Sequence, residues 1–380
     1  MKERVFSVLT ACMSLAFMTL CFALASCGDG GDDPGVAPPG GEVVGGGGGG
    51  GGSGGGGGSL TATVTSEGTV LRGANLASKL AWLDRNAESH TTYIVEVGAN
   101  ENIAPYTLEY TGAINITVIL RGDGTNRTIR LSRNGTMFTV CSNVTFVLDN
   151  NITLMGHSQN TGVMVDVNGG MFRMRTGSTI TGNTNSDYWG GGGVYIGNRG
   201  TFSMQGGSIS GNTAGSNGNG GGGVLVNVAT FEMTGGTISG NTASMGGGVS
   251  MARNSAPNTF TMTGGTISGN TASNGGGVYV TNGGTFTMSG GNITGNTANE
   301  YGGGVRVDNY GDARFTKTGG TITGYVNDSN NGNVVRDDSG TIARRGHAVY
   351  VSSDRRKETT AGPGVNFSTS GWGYSGDWDD

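Results

Sequence analysis

The sequence predicts an all-β protein, a right-handed parallel β-helix with three strands per coil and a capping helix at its N-terminal end. Three observations support this fold class: similar blocks follow one another, their apolar side chains recur at equal spacing, and glycines separate short alternating segments. Blocks begin at Gly207, Gly236 and Gly265. A unit of this length cannot bury its own apolar side chains, so it becomes stable only when copies stack on one another.

The spacing of the apolar residues predicts which side chains fill the interior. The isoleucine near the start of each block returns at intervals of 29, 29, 29, 26 and 29 residues, and a phenylalanine keeps nearly the same pace. Equal spacing places like side chains over like side chains along the axis of the solenoid. The predicted interior columns are Ile180, Ile209, Ile238, Ile267, Ile293 and Ile322, and Phe172, Phe202, Phe231, Phe260, Phe286 and Phe315.

Within one block, apolar and polar residues alternate over three short segments, which is typical of strands with one buried face. Glycines separate the segments and suit the bends between strands, because glycine accepts backbone angles that other residues avoid. In the block that starts near Thr285, the alternating apolar residues are Phe286 and Met288, then Ile293, then Val305 and Val307.

An asparagine follows each column isoleucine at an offset of three residues, where a bend is expected. One interpretation is a ladder in which the side-chain amides pass hydrogen bonds from coil to coil. The alternative is that asparagine merely suits left-handed turn geometry. Both interpretations give the asparagines a role in the fold and none in function. The residues are Asn183, Asn212, Asn241, Asn270 and Asn296.

The body of the protein is predicted to open with a helix, because Leu76, Leu80 and Leu83 share one face at helical spacing. We interpret this helix as the cover of the open end of the solenoid. A membrane-surface helix is the alternative, but it needs a basic polar face, and only Lys79 and Arg85 are available for one.

The N-terminus predicts export and a lipid anchor. Lys2 and Arg4 precede an apolar run that ends in small residues, so we interpret residues 1–26 as a removable signal peptide. The segment Leu24-Ala25-Ser26-Cys27 resembles the bacterial lipobox, which implies lipid attachment at Cys27 and a place in the outer membrane or on the cell surface of a bacterium. The alternative is an ordinary secretory signal that ends near a cysteine.

Composition divides the remainder of the chain. Residues 27–59 are rich in glycine, with an unbroken run from Gly45 to Gly52, and are predicted to form a flexible tether. Residues 60–352 hold the β-helix with its N-terminal cap. Residues 353–380, which include Trp372 and Trp378, are expected to cover the last coil or to form a free tail.

The repeats also resemble those of known families. Blocks such as GTISGNTASNGGGVYV, from Gly265 to Val280, resemble the repeats of spirochaete-type right-handed β-helix lipoproteins. They are also similar to the repeats of chlamydial polymorphic outer-membrane proteins. The second resemblance implies a surface protein associated with adhesion. The shared motif implies a shape and carries no catalytic residues.

Composition argues against several classes of function. The formal net charge of −5 provides no cationic field for phosphates, so we expect no nucleic-acid partner. No Cys and His spacing typical of a metal site occurs, and we expect no cofactor. We therefore predict a non-catalytic, monomeric rod that serves adhesion or acts as an interaction scaffold.

Two other functions remain open at this point. A β-helix polysaccharide lyase or hydrolase would use carboxylates from one lateral groove, and the densest charged group in the repeats contains Asp308 and Asp312 with Arg306 and Arg314. A solvated face is the plainer interpretation of that group. An ice-binding protein is the more remote alternative, because pairs such as Thr237 and Ser239 would form a flat outward array.

One edge of the solenoid is the predicted binding edge, since the interval between the ladder asparagine and the next valine varies in length. Aromatic and amide groups on such loops stack on sugars or anchor a partner, so a glycan or a protein of a host or neighbouring cell is the expected ligand. Alternatively, Trp189 folds over its own coil. The candidate residues are Asp187, Tyr188, Trp189, Asn217, Asn219, Glu300 and Tyr301.

Overall fold

The protein is a parallel β-helix, here in a computed structural model that describes residues 58–187, 190–215, 220–252, 257–281, 283–308, 313–325, 329–336, 339–342, 346–351, 365–368 and 377–378. The signal peptide, Cys27 and nearly all of the tether lie outside the described residues. All described residues belong to one compact unit. The predicted all-β class is confirmed, with strands from Thr61 onward and one described helix.

Four sets of strands run along the solenoid, each named here after its characteristic residues. The Phe sheet contains β1 (Thr61–Thr65), β2 (Gly68–Arg72), β3 (Thr92–Val97), β6 (Ile116–Gly122), β9 (Val144–Leu148), β12 (Met171–Met174), β16 (Thr201–Met204), β20 (Thr230–Met233), β24 (Asn258–Met262), β28 (Gly284–Thr294), β31 (Arg314–Ile322) and β34 (Val365–Ser368). The Ile sheet contains β4 (Glu101–Ile103), β7 (Arg127–Leu131), β10 (Ile152–Met155), β13 (Ser178–Thr181), β17 (Ser208–Ser210), β21 (Thr237–Ser239), β25 (Thr266–Ser268) and the ends of β28 and β31.

The other two sets lie on the remaining sides of the coil. The Val sheet contains β5 (Tyr106–Leu108), β8 (Phe138–Cys141), β11 (Val165–Asn168), β15 (Val194–Gly197), β19 (Val224–Val226), β23 (Val249–Met251), β27 (Val278–Val280), β30 (Val305–Val307), β33 (Val349–Val351) and β35 (Asp377–Trp378). The Thr-Ala sheet contains β14 (Thr184–Asn185), β18 (Thr213–Ala214), β22 (Thr242–Met245), β26 (Thr271–Asn274), β29 (Thr297–Tyr301) and β32 (Val334–Val335).

The registers stack identical side chains, as the spacing predicts. Phe202 pairs with Phe231, and Ile238 pairs with Ile267, in parallel neighbours. The rings from Phe172 to Phe315 stack with centroids 4.5–5.0 Å apart. These side chains are almost completely buried, so both columns form the continuous core of the rod.

The Thr-Ala sheet is a difference from the predicted coil of three strands. Its strands follow the ladder asparagine, and the sheet-forming pairs include Thr213 with Thr242 and Ala243 with Ala272. The alanine side chain is buried, while the threonine is partly or fully exposed. The segment is only two to five residues long. One threonine and one alanine are too short a pattern to predict a strand from sequence.

The ladder asparagines are buried and hydrogen-bonded from coil to coil. Asn241 shows the pattern: its Oδ1 accepts from the backbone N–H and the Nδ2 of Asn212, at 3.0 and 3.1 Å. Its own Nδ2 donates to Asn270 Oδ1 at 3.0 Å and to the backbone oxygen of Ile209 at 2.9 Å. The amides thus satisfy one another and the bend inside the core.

The backbone separates the two interpretations of these asparagines. The left-handed residue of each bend is the preceding glycine, for example Gly240 at φ 64° and Gly269 at φ 63°, whereas no ladder asparagine has a positive φ. Hydrogen bonding therefore explains the asparagine, and glycine supplies the turn geometry. Sequence analysis missed two further members, Asn160 and Asn333, which bond to Asn183 and Asn296.

The predicted helix is present as α1 (Leu76–Asn86), with Asn75 Oδ1 accepting from the Ser78 N–H at 2.8 Å as an N-cap. Its leucine face packs into the core. Lys79 is 1% exposed, and its Nζ donates to the backbone oxygen of Glu96 at 2.6 Å. Burial lowers the pKa of Lys79. Lys79 therefore faces the protein, which contradicts the basic polar face that a membrane-surface helix needs.

Antiparallel strands lie at both ends of the described solenoid. At the N-terminal end β1 pairs with β2, and at the other end β34 pairs with β31 and β35 with β33. The last two strands belong to the predicted cap or tail, so part of residues 353–380 adds strands to the sheets. In the described part of the chain, no helix has the length and apolar character needed to span a bilayer.

Candidate functional site

The predicted binding edge is only partly visible. Tyr188, Trp189, Asn217 and Asn219 lie outside the described residues. The structure places Asp187 on a lateral groove and places Glu300 and Tyr301 together at the end of β29, several coils further along the rod. The predicted residues therefore belong to two separate places on the same side of the solenoid.

Both places lie against the outer face of the Val sheet. The outward positions of this sheet form one column through the registers of neighbouring strands. Several of its members are buried on this outer face as well, which simple alternation did not predict. The column is Thr139, Asp166, Tyr195, Leu225, Ser250, Tyr279, Arg306 and Tyr350.

The chain that leads into each Val-sheet strand covers this outer face. A Cβ on Gly191 would lie 3.2 Å from the Leu225 Cβ, and one on Gly302 would lie 2.7 Å from the Arg306 Cβ. The bends thus approach the sheet as closely as a residue without a side chain permits. The loop edge is therefore a layer over the Val sheet.

The first place is a groove of about 490 Å³. Asp166 and Tyr195, neighbours in the outward column, form its base with Thr136 nearby. Asn185 holds the wall, because its Nδ2 donates to the Gly191 oxygen at 2.9 Å and its Oδ1 accepts from the Asp187 N–H at 2.9 Å. Strands and a tied loop thus position the carboxyl groups of Asp166 and Asp187.

The asparagine ladder supports the same groove from behind. Asn183 Nδ2 donates to the backbone oxygens of Gly162 and Gly192, at 2.9 and 2.8 Å. Gly162 lines the groove beside Val163. The hydrogen bonds of Asn183 therefore fix the backbone that lines the groove.

Asp166 is the chemically unusual residue of the groove. Its Oδ1 atom is buried and has no hydrogen-bond partner among the described residues. Burial raises the pKa of Asp166 from its usual 3.8 to about 6. Burial also raises the pKa of the Tyr195 hydroxyl, against a hydrogen bond from Asn227. A hydrogen-bond donor or a cationic group in the groove would relieve the cost of the buried carboxylate.

The second place is an aromatic and charged cluster near the C-terminal end of the Val sheet. The Arg306 guanidinium lies 5.5 Å from the Tyr279 ring centroid and 5.1 Å from that of Tyr301. The Tyr301 ring stacks on Tyr350 with centroids 4.5 Å apart. Tyr301 is 43% exposed, so this stack presents an aromatic surface to solvent.

Polar contacts hold the cluster in place. Arg306 donates to Asn274, whose Nδ2 donates to Glu300 Oε2 at 3.1 Å. The Tyr279 hydroxyl donates to Asp308, which is also 3.7 Å from an Arg306 nitrogen. Glu300 and Tyr301 are therefore both held by contacts with neighbouring side chains.

The charged group around Asp308 is a solvated face only in part, since Arg314 is exposed. Asp308 is 1% exposed and is engaged by Tyr279 and Arg306, so the expectation of solvated charges is wrong at this residue. The sequence could not predict this, because Tyr279, which donates to Asp308, belongs to the preceding coil. Asp312 lies outside the described residues. The buried Asp308 carboxylate is poorly placed to meet a polysaccharide.

The outward face of the Ile sheet carries the pairs considered for ice binding. Thr237 pairs with Thr266 and Ser239 with Ser268, so these side chains form short rows. Ser208 and Asn292 continue the threonine row at its two ends. The array is therefore mixed in composition, as its sequence indicates.

Within the described ranges, no three His, Cys, Asp or Glu side chains lie together in a way that could hold a metal ion.

No protein-family model, curated protein or solved structure matches this chain. The resemblance of its repeats to spirochaete-type lipoproteins and to chlamydial outer-membrane proteins stays a prediction from the motif.

Proposed function

We propose that the protein is a lipid-anchored cell-envelope protein whose non-catalytic β-helix presents the outer layer of the Val sheet for adhesion or scaffold interactions. The observation that supports this best is the groove at Asp166, where a buried oxygen that has no partner among the described residues lies beside Tyr195 on a sheet. Rigid frames with a few polar groups and an aromatic ring are suited to binding.

The groove suits a ligand that donates hydrogen bonds. A hydroxyl-rich glycan would donate to Asp166 and Asp187 and stack against Tyr195. A basic side chain of a partner protein would use the same carboxylates. The exposed Tyr301 stack, further along the same side, would provide a second contact for an extended ligand. Two contacts on one rod strengthen binding through effective concentration.

The anchor belongs to the same proposal. Several acyl chains on Cys27, each stabilised by about 0.8 kcal/mol per buried methylene, would hold the protein on a membrane. Metabolic labelling with a clickable fatty acid tests this: the wild type should be labelled and the Cys27→Ser variant should not. Labelling that persists in Cys27→Ser would reject the anchor at this residue.

The orientation is tested on intact cells. Added protease should remove the folded body from the surface while a periplasmic marker stays intact. If the body is cut only after the outer membrane is opened, adhesion to another cell is excluded.

Binding is tested with purified full-length protein on an array of glycans and of envelope or host-cell proteins. Asp166→Asn should weaken binding by about tenfold or more, since a hydrogen bond to a charged group contributes about 1.5–3 kcal/mol. Glu232→Gln is the matched control, because it removes an exposed carboxylate from the Phe sheet. Equal affinity of Asp166→Asn and wild type would rule out the groove.

A polysaccharide lyase or hydrolase is the second candidate. The groove favours it in one respect, because Asp166, with a pKa of about 6, lies in the same groove as Asp187, and such pairs serve as acid and base. Release of reducing ends or unsaturated products from acidic glycans, abolished in Asp166→Asn, would support catalysis and replace the binding proposal.

A further inference from the structure

We infer that the protein forms a two-fold dimer in which strand β1 pairs antiparallel with β1 of a second copy, end to end. Among the described strands, β1 pairs only with β2, and all five of its residues are exposed. Its other edge therefore offers backbone N–H and C=O groups to a further strand. This proposal is independent of the proposed function and replaces the expectation of a monomer.

The apolar face of β1 continues the core of the rod. Val64 pairs with Thr69 and Ala62 with Leu71, and Thr69 and Leu71 lead through β3 and β6 into the interior columns of the Phe sheet. Val64 is nevertheless 84% exposed. Helix α1 packs with Leu71 and Tyr93 in the core. The side chains of β1, in contrast, are all exposed among the described residues.

The sequence of β1 is complementary to itself. In an antiparallel pair centred on Thr63, the segment TATVT places Thr61 opposite Thr65 of the second copy. Ala62 and Val64 then face each other twice, on the side that continues the core. Threonine pairs and small apolar pairs both stabilise cross-strand contacts. Such a pair is isologous and closes after two copies.

The edge lacks the usual protection against pairing. Exposed edges commonly carry lysine, proline or a bulge, and β1 has none of these. A glycine-rich segment precedes it, and the run from Gly45 to Gly52 has no side chains that could cover Val64 and Ala62. A second copy of β1 supplies both the missing backbone partners and the apolar surface.

The contact is small, because one strand of five residues buries less than a standard interface. The dimer should therefore exchange rapidly and depend on concentration. A covalent trap at the two-fold axis is the appropriate test. In an antiparallel pair the facing Cα atoms lie about 4.5–5.5 Å apart, within the range of a disulfide.

The experiment uses the full-length protein in membranes and at high concentration in detergent. Thr63→Cys should give an oxidised band of twice the chain mass that is lost on reduction. Glu232→Cys, exposed in the middle of the Phe sheet, is the matched control and should give at least about tenfold less of that band, a factor worth about 1.4 kcal/mol. The unsubstituted protein is oxidised in parallel, because any dimer band that it forms comes from the native cysteines.

A second substitution tests the apolar face. Adding Val64→Lys to Thr63→Cys should reduce the dimer band by about tenfold, equivalent to about 1.4 kcal/mol, because lysine on an edge opposes pairing. Val64→Thr, which is uncharged and β-branched, should retain the dimer. Circular dichroism of each variant confirms that the β-helix is folded. A Thr63→Cys band no stronger than that of Glu232→Cys, or a dimer insensitive to Val64→Lys, would overturn the proposal.

Discussion

At the scale of single residues, the ladder asparagines show why a polar group can occupy the core of a solenoid. Each amide meets the same partners in the coils on both sides, so no donor or acceptor is left over within the run from Asn212 to Asn296. Buried polar networks are stable when every member is satisfied and costly when one is missing. The ladder therefore makes the bends depend on one another.

Replacing Asn241 by alanine should lower the free energy of unfolding by about 3–5 kcal/mol, because it leaves the Asn212 N–H and the Ile209 oxygen buried without partners. Denaturant unfolding followed by circular dichroism measures the change. The control is Asn292→Ala, since Asn292 is exposed in the Ile sheet and should change stability by less than about 0.5 kcal/mol. Similar losses at both positions would contradict the role of the ladder.

Asp166 makes stability depend on pH in a direction that is unusual for a carboxylate. Because its pKa in the folded protein is raised from 3.8 to about 6, the folded state binds more protons between these values, and its stability falls as pH rises. Relative to Asp166→Asn, the wild type should lose about 2–3 kcal/mol between pH 4 and pH 7. Denaturant unfolding of both proteins at each pH measures this difference.

Asp123 provides the opposite case as a control. A hydrogen bond from Arg127 lowers the pKa of Asp123, so the stability that it contributes is lost as pH falls. Relative to Asp123→Asn, the wild type should therefore gain stability with rising pH. If the stability contributed by Asp166 also rose with pH, as expected for Asp123, the Asp166 carboxylate would be well solvated.

At the scale of the strand and bend, two kinds of glycine should respond differently to substitution. At Gly240 an alanine would be strained only by the left-handed φ of 64°, because the nearest atom, the Gly211 nitrogen, lies 3.9 Å from the added Cβ. Gly240→Ala should therefore lower the free energy of unfolding by about 1–2 kcal/mol. Gly248→Ala places a Cβ 2.7 Å from the Gly277 oxygen and 2.8 Å from Ile267 Cγ2, so the coils must separate. Gly248→Ala should therefore lower the free energy of unfolding by more than Gly240→Ala does in the same assay. The reverse order would show that neighbouring coils can move apart at little cost.

The elements also show which features a sequence can predict. The phenylalanine and isoleucine columns were predictable because stacking demands the same side chain in every coil. The ladder ends at Asn160 and Asn333 were missed because longer loops shift them away from the fixed offset of three residues. The groove at Asp166 was missed for a different reason: its carboxyl is unusual only because residues distant in sequence, such as Thr136 and Asn185, line the groove with it.

At the scale of the whole molecule, stability in a solenoid comes from contacts between neighbouring coils, with no single centre. The rod is therefore approximately one-dimensional, and its coils are interchangeable as long as the registers are kept. In the central region, coils carry the same phenylalanine, isoleucine and asparagine at matched positions, and every strand set pairs in parallel. The groove and the Arg306 cluster lie on the same side of the rod, one at each end of this uniform region.

Deleting one complete repeat, from Gly236 to Gly264, should therefore leave a folded rod that is shorter by about 4.8 Å, the spacing between neighbouring strands. The deletion joins Gly235 to Gly265 and restores the Thr-Gly-Gly bend, so Ile209 stacks on Ile267 and Asn212 on Asn270. Small-angle scattering measures the length, and circular dichroism the fold. Deleting only the half from Gly236 to Gly248 is the control, because it removes an Ile strand and a ladder asparagine but leaves the Val and Phe strands of the same coil in the chain. The half-repeat deletion should unfold at a lower denaturant concentration than the whole-repeat deletion. Equal stability of the two would argue against matched stacking as the source of the fold.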